Sequence, residues 1–472
     1  MRMPPRRTFR PLEIYLLAGG LLVAPGVAQI SGSTNTPPTP ASLSQPDGAH
    51  QRYLWNSNSL ASAYTRHGRR DARWNDTAYA ALEAYARVLG ADPSAQAPFK
   101  LLISSKTQAA MAAGCDDPMI RYLYARNVEL TNLTIPQQDK FYRHVAADMK
   151  ASGYPAIRKF YAALRMANEL DRVSSNTPPE VRVLWRDAQD ALVEALHDRN
   201  MPPDEVSEAC YLLMKTRDFQ YDPFHAFEEV AFANWPRLPT LHFLKAEALI
   251  QHAWSARGGG YANTVKPEQW KLFGERLEVA AQSVDSSWRL FPSDGRFPWK
   301  MIIIEMGQGQ GRPRMEMWFR RAMKADTNNY DACAAKLLYL EPKWHGSVED
   351  MLEFGRQCVA STNWGGAIPT ILVDAHFVIG NKYTEPEKRA AYWKRDEVWA
   401  DIKPAYEKVF ALAPEWDHLH VYYAGYAYRA EQWDELNRQI ALFKNPNPDN
   451  VGGPEAFDKM LKDAKAHQKT AK

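Results

Sequence analysis

The stretch that decides the fold lies near the carboxyl end of the chain and reads PEWDHLHVYYAGYAYRAEQWDELNRQIALFKNPNP, from Pro414 to Pro448. It contains two runs of apolar side chains spaced three or four residues apart. The first run is Tyr423, Ala427 and Ala430, and the second is Trp433, Leu436, Ile440 and Phe443. Because residues at this spacing share one helix face, the pattern predicts two short helices, each with a single apolar stripe.

Matching turns recur at nearly the same interval. Pro414 and Pro448 are 34 residues apart, and upstream Leu290-Phe291-Pro292 and Ala325-Asp326-Thr327 occupy similar turn positions 35 residues apart. A pair of short helices buries only one stripe by itself, so neighbouring pairs must stack to cover the rest. The interval therefore predicts helical repeats over about residues 286–450, with a concave groove along the stack.

The rest of the chain also carries helical patterns. Helices are expected to begin at Asp76-Thr77, at Pro178-Pro179 and at Pro202-Pro203, where caps or prolines precede apolar residues at helical spacing. The best strand candidate, Met301–Ile304, lies among helical segments, and we assign it to a buried helix. The sequence thus predicts an all-α protein.

Four segments resemble a family of uncharacterised secreted bacterial proteins with helices like those of tetratricopeptide (TPR) repeats. They are AAGCDDP (112–118), GQGQGR (307–312), YLEPKWHGS (339–347) and IPTILVDAH (368–376). The resemblance spans roughly residues 95–450. It implies a TPR-like α-solenoid of stacked antiparallel helix pairs in an exported protein, and it implies no activity and no cofactor.

The first residues are typical of an export signal. Four arginines in the first ten residues precede an apolar run, Ile14–Ala28, that ends in the small residues Gly26-Val27-Ala28. We expect a signal peptide over 1–28, cleaved near Ala28, and a periplasmic or secreted protein. A retained N-terminal anchor is the alternative. No later stretch has 18 uninterrupted apolar residues, so we expect no membrane span in the mature chain.

Composition divides the remaining 444 of the 472 residues into four parts. Residues 29–50 have almost no large apolar side chains and are predicted to be a disordered linker. An irregular helical region (51–285), the TPR-like repeats (286–450) and a charged tail (451–472) follow. The net charge of the chain, +3, equals that of residues 1–28, so the remainder is neutral. It therefore has no excess of basic residues that would indicate nucleic-acid binding.

The four cysteines, Cys115, Cys210, Cys333 and Cys358, are too few for a disulfide-built scaffold. Buried free thiols are favoured, and a Cys333–Cys358 bond is the alternative. No spacing of Cys, His or carboxylate residues is typical of a metal site, so none is predicted.

The densest group of aromatic, imidazole and carboxylate side chains falls in loop-like sequence around residues 344–376. We predict its members as ligand-binding residues: Trp344, His345, Trp364, Asp374 and His376. The tryptophans could stack on a peptide or sugar while the polar groups fix its orientation. A structural role is the first alternative: Trp344 would pack between helices and His345 would form a hydrogen bond with a helix end. The second alternative is a hydrolase that uses Ser347 as its nucleophile.

GQGQGR (307–312) has the glycines of a phosphate-binding loop but not the Lys-Ser/Thr ending, so a turn between two helices is favoured. The function these observations favour is a non-enzymatic exported scaffold that binds a protein or peptide in its groove. The alternatives are a glycan-binding protein and a hydrolase with a site near His345.

Overall fold

The computed structural model describes residues 46–90, 95–128, 130, 133–173, 179–215, 223–260 and 262–468. Helices and their connecting turns make up these residues, and no strand occurs among them. The all-α prediction is confirmed for this part of the chain. The predicted signal peptide (1–28) lies outside the described residues, as does the predicted linker up to residue 45. The last five positions of the predicted linker, residues 46–50, belong to the first helix, Pro46–Ser57.

The chain divides into two compact units between Lys245 and Ala246. The division falls within α11 (Pro239–Arg257). Before it, the N-terminal unit contains ten helices in its described part: α1 (Pro46–Ser57), α2 (Ala63–His67), α3 (Asn75–Gly90), α4 (Ala97–Ala112), α5 (Pro118–Asn127), α6 (Ile135–Ala151), α7 (Ala156–Val173), α8 (Pro179–Ala195), α9 (Pro203–Met214) and α10 (Pro223–Asn234).

The C-terminal unit, from Ala246 onward, continues with eleven further helices in its described part: α12 (Pro267–Leu290), α13 (Arg296–Gln308), α14 (Arg312–Ala325), α15 (Tyr330–Tyr339), α16 (Val348–Ala360), α17 (Ile371–Gly380), α18 (Pro386–Trp393), α19 (Asp396–Leu412), α20 (Leu419–Arg429), α21 (Trp433–Ile440) and α22 (Pro454–Gln468). None of the described helices is both long and apolar enough to cross a membrane.

Helices of the N-terminal unit pack mainly against their neighbours in sequence. From α3 to α8 each helix contacts the next, and α3, α5 and α7 also contact one another in turn. The stripe of α7 shows why: Ile157, Phe160, Leu164 and Ala167 are buried at helical spacing. Each such stripe is covered by the helices before and after it, so burial of apolar surface orders the helices along the chain.

A buried carboxylate fixes the start of α5. Asp117 accepts hydrogen bonds at its Oδ1 atom from the backbone N–H groups of Met119 and Ile120, at 2.9 and 3.1 Å. Its Oδ2 atom accepts from the backbone N–H of Arg69 at 2.9 Å, and the Tyr154 hydroxyl donates to both oxygens at 3.1 Å. Asp117 is therefore the N-cap of α5 and also joins this helix to two other segments.

Packing in the C-terminal unit again follows chain order. The helix α13 contacts α12, α14 and α15, and α17 contacts α16, α18 and α19. The helices α13 and α15 begin at Arg296 and Tyr330, 34 residues apart, and α20 and α22 begin at Leu419 and Pro454, 35 residues apart. The alternate helix starts between them are 25 to 41 residues apart, so the interval is regular at the two ends of this region and irregular between.

The aromatic residues of the last helices form a core, as their spacing predicts. Trp393, Tyr406, Tyr422, Tyr423 and Tyr426 are all buried in one cluster. A second cluster joins α20 and α21 to Phe457, Met460 and Ala464 of α22, within the range predicted as a charged tail. Met301–Ile304 is also buried and helical, as expected.

The segment GQGQGR connects α13 to α14. Gly309 and Gly311 have positive φ angles of 66° and 100°, which side chains other than glycine rarely adopt. The favoured interpretation as an inter-helix turn is thus confirmed. All four cysteines are buried as free thiols, and Cys333 lies 3.7 Å (Sγ to Sδ) from Met323.

Replacing Asp117 with alanine tests the cap. The substitution leaves four buried donors without their acceptor, so we expect the free energy of unfolding to fall by about 2–4 kcal/mol. Asp116→Ala is the matched control, because its side chain is half exposed and makes only a 3.4 Å pair with Arg69. Urea unfolding followed by circular dichroism measures both variants, and equal losses would contradict the role assigned to Asp117.

Candidate functional site

The structure places the five predicted site residues in separate surroundings of the C-terminal unit. Trp344 and His345 lie in the α15–α16 loop, Trp364 lies in the α16–α17 loop, and Asp374 and His376 lie on α17. Each has its own set of neighbours, so the five do not form one cluster around a shared ligand.

Trp344 and His345 are held by nearby helices. The Trp344 ring meets the Trp254 ring edge-on at 5.6 Å, and the guanidinium of Arg257 lies 5.7 Å from the centre of the Trp344 ring. The Nε2 atom of His345 is 2.9 Å from the carbonyl oxygen of Met306, in the last turn of α13, and the imidazole ring lies on Tyr339. The geometry thus agrees with the structural role of both residues.

Ser347 and Trp364, also in loops, contact the backbone and the core respectively. The Ser347 hydroxyl accepts a hydrogen bond from the N–H of Asp350 at 3.0 Å and caps α16, which leaves it poorly suited to act as a nucleophile. The half-buried Trp364 ring meets Phe319 at right angles, with 5.6 Å between ring centres.

His376 belongs to a chain of polar side chains that joins four helices. Its Nδ1 atom is 2.7 Å from the Tyr392 hydroxyl, and its Nε2 atom is 3.0 Å from Oδ2 of Asp401. Arg356 donates to both oxygens of the same carboxylate at 2.8 and 2.9 Å. Burial raises the pKa of Asp401, but hydrogen bonds and charges from His376 and Arg356 lower it by a larger amount. The pKa therefore lies below its ordinary value, and the carboxylate is ionised at neutral pH.

The imidazole of His376 therefore has no ring nitrogen to offer a substrate. Since Asp401 is ionised, Nε2 carries the proton and donates to it, and Nδ1 accepts from Tyr392. Only 2% of the residue is exposed to solvent. His376 and Asp401 lie as close together as a catalytic pair requires. In these surroundings their hydrogen bonds connect neighbouring helices.

Asp374 has one satisfied and one unsatisfied oxygen. The Tyr330 hydroxyl donates to Oδ2, whereas Oδ1 is buried and has no hydrogen-bond partner among the described residues. The hydroxyl groups of Tyr406 and Tyr423, in the surrounding aromatic core, are also buried without a partner. Burial raises the pKa of Asp374 to about 7, so near neutral pH the carboxyl group changes charge readily.

Next to Asp374, three inter-helix loops meet. Gly365 donates its N–H to the Thr327 carbonyl at 3.4 Å. A side-chain atom added at Gly366 would lie 3.9 Å from the Trp416 ring and 4.0 Å from Asn328. The backbone carbonyl of Asn328 in turn accepts a hydrogen bond from the N–H of Tyr330 at 2.8 Å. We call this group the loop junction, and it consists of Asn328, Tyr330, Trp364, Gly365, Gly366, Asp374 and Trp416.

The loop junction is the best candidate site in the C-terminal unit. Asn328 is exposed, and Trp364 and Trp416 are both half-buried, so an amide and parts of two indole rings face solvent. A side-chain atom added at Gly365 would collide with Oδ1 of Asn328, whereas one added at Gly366 would meet nothing closer than 3.9 Å, so the backbone is open to approach at Gly366. Such a surface offers stacking and amide hydrogen bonds, which suit binding better than bond cleavage.

No protein-family model matches the chain, and a search of curated proteins returns no match. The resemblance to TPR repeats and the bacterial origin therefore remain predictions from the sequence. In the described part of the chain, no group of three or more His, Cys, Asp or Glu side chains is arranged to hold a metal ion.

The residues predicted from the sequence include Trp364 and Asp374 of the loop junction but not Asn328, Tyr330 and Trp416. Asn328 lies in the Asp326-Thr327-Asn328-Asn329 turn between α14 and α15, and Trp416 follows Pro414 in the turn between α19 and α20. The usable signal was that both lie in inter-helix turns, which repeat proteins place along one edge.

The raised pKa of Asp374 predicts how stability depends on pH. In the unfolded chain the carboxyl has its ordinary pKa of 3.8, so the folded state binds the extra proton between about pH 4 and 7. Folding is therefore favoured at the acid end of this window, and the advantage is lost as pH rises through 7. From pH 5 to pH 8 we expect this group to remove about 2–3 kcal/mol of stability.

Urea unfolding at several pH values measures this effect. Asp374→Asn cannot ionise and is expected to lack that share of the pH dependence. Asp458→Asn, an exposed position on α22, is expected to retain it. Parallel pH profiles for the native protein and Asp374→Asn would show that the carboxyl group titrates normally.

Proposed function

We propose that the chain is a non-enzymatic scaffold of TPR-like stacked helix pairs that acts outside the cytoplasm and binds a protein or peptide ligand. The stacking is supported by the packing of each helix against its neighbours in sequence and by helix starts 34 and 35 residues apart. Export is supported by the Arg-rich, apolar start of the sequence.

The loop junction is the observation that carries the proposed binding function. An exposed Asn328 can pair with both the N–H and the C=O of a peptide bond, since its amide has a donor and an acceptor. Trp416 supplies an apolar, rigid surface at low entropic cost, as aromatic residues do at protein interfaces.

A catalytic role has less support from the geometry. His345 uses Nε2 on a backbone carbonyl, His376 uses both ring nitrogens, and Ser347 caps a helix. A general base needs a free nitrogen or oxygen within reach of the substrate proton. The predicted residues thus have structural roles that compete with proton transfer.

Glycan binding is the second candidate because of one observation. Trp416 and the exposed Asn328 both lie close to Gly366, Trp364 precedes Gly365 in the chain, and both tryptophans are half-buried. An indole face beside an amide suits a sugar ring, which presents apolar C–H groups on one face and hydroxyl groups at its edge.

A photo-crosslinking residue at position 328 tests the proposal. In the full chain, we expect irradiation in a host extract to link this position to a defined protein or peptide, identified by mass spectrometry. The Trp416→Ala substitution is expected to reduce that product about tenfold, which corresponds to the loss of about 1.4 kcal/mol of binding free energy. The matched control carries the crosslinker at position 458, which is exposed on α22.

Other outcomes would redirect or overturn the proposal. The same products from positions 328 and 458 would show nonspecific contact. Binding to a glycan array that Trp416→Ala abolishes would favour the glycan function, and turnover of a substrate lost in His345→Ala would favour the hydrolase. Asn328→Ala serves as a second variant, because it removes the exposed amide that is proposed to pair with the ligand.

A further inference from the structure

Three sulfur-containing side chains meet in the core of the C-terminal unit. The Sγ atom of Cys333, on α15, lies 3.7 Å from the Sδ atom of Met323, on α14. Cys358, on α16, faces the same point, and its thiol forms a hydrogen bond with that of Cys333. The exposed fractions of Met323, Cys333 and Cys358 are 5%, 0% and 1%. We call these three side chains the sulfur cluster.

Contacts one helical turn away show independently that α14, α15 and α16 meet at this point. The ring centres of Phe319, on α14, and Phe354, on α16, are 5.5 Å apart. The Nζ atom of Lys336, on α15, lies 4.4 Å from both ring centres. The members of the sulfur cluster lie four residues later on α14 and α16 and three residues earlier on α15, so one layer of side chains stacks on the other.

The spacing and the chemistry of the sulfur cluster suit a soft metal ion. A metal–sulfur bond of about 2.3 Å places two sulfurs on the same metal about 4 Å apart, close to the distance between Cys333 and Met323. Thiolate and thioether ligands together favour Cu(I). Structural Zn(II) sites instead use four ligands from Cys, His and carboxylate side chains, and among the described residues no third side chain of these types joins the two cysteines.

Lys336 supplies a positive charge beside the sulfur cluster. Burial and the neighbouring Cys358 raise the pKa of the Cys333 thiol, whereas the charge of Lys336 lowers it by a smaller amount. The Nζ atom of Lys336 also pairs with Glu316 at 2.9 Å. The Cys333 thiol therefore keeps its proton at neutral pH until a metal displaces it. Binding of Cu(I) by two thiols releases two protons and leaves one negative charge near the ammonium group of Lys336.

The sulfur cluster lies close to the surface turns of the loop junction. Met323 and Cys358 lie two residues before the ends of α14 and α16, and Cys333 lies three residues after the start of α15. The turns that follow α14 and α16 are joined by the hydrogen bond from the N–H of Gly365 to the carbonyl of Thr327. A cation therefore needs to pass turns rather than the middle of a helix to reach the sulfurs.

We propose that the sulfur cluster binds one Cu(I) ion, with the thiolates of Cys333 and Cys358 and the thioether of Met323 as its ligands. The ion enters past the turns of the loop junction. The two thiols lose their protons to solvent as the two copper–thiolate bonds form. This site does not depend on any peptide or glycan bound at the surface above it.

Competition for Cu(I) tests the site in the full chain. The reduced protein is titrated without oxygen against Cu(I) held by the chromophoric chelator ferrozine, after a thiol assay under denaturing conditions has counted four free thiols. We expect the native protein to withdraw one equivalent of Cu(I), with an X-ray absorption spectrum that shows only sulfur ligands, at about 2.3 Å. Cys333→Ala and Cys358→Ala are each expected to weaken binding about a hundredfold, since each removes a thiolate ligand.

Met323→Leu tests the thioether with little change in packing, because leucine keeps the volume and the apolar character of methionine. We expect this variant to bind Cu(I) about tenfold more weakly than the native protein. The matched controls are Met315→Leu, at another buried position on α14, and Cys210→Ala, at a buried cysteine of the N-terminal unit. Both are expected to bind Cu(I) as the native protein does.

Three results would overturn the proposal. The native protein would fail to withdraw Cu(I) from the chelator, or Cys333→Ala and Cys210→Ala would weaken binding equally. Native-like binding by Met323→Leu would exclude the thioether and overturn the assignment of three sulfur ligands. Since Met323→Leu conserves the core, this last comparison does not depend on whether the cysteine variants fold.

Discussion

The dependence of each helix on its sequence neighbours underlies the rest of this structure. A helix of 8 to 24 residues with one apolar stripe cannot bury that stripe by itself, so the helices before and after must cover it. Core residues such as Phe160 on α7 and Tyr406 on α19 are therefore surrounded by helices close in sequence. The inter-helix turns remain at the surface, where Asn328 and Trp416 approach the same two glycines.

The same packing leaves some polar groups inside. Asp117 is satisfied by four donors and caps a helix, whereas Asp374 has one satisfied oxygen and one that is not. Arg158, buried on α7, donates its hydrogen bonds to the neutral side chains of Asn56 and Ser59. Groups that are fully bonded stabilise one arrangement of the helices, and groups that are partly bonded reduce its stability.

Local patterns predicted the elements well, because helix starts, turns and stripes are encoded within a few residues. Pro203, Gly309 and the stripe of Tyr423, Ala427 and Ala430 show this clearly. The site was harder, since the partner of Asp374 is Tyr330, 44 residues away, and only the packing of α15 against α17 brings them together. The burial of Arg158 had no sequence signal, because arginine on a helix is usually exposed.

The chain of contacts from Tyr392 through His376 and Asp401 to Arg356 ties together one residue each from α16, α17, α18 and α19. Rotation of α17 about its axis would break two of these bonds at once and leave buried polar atoms stranded. The four helices are thus expected to move as one rigid block, and deformation within the C-terminal unit is left to the segments on either side of it.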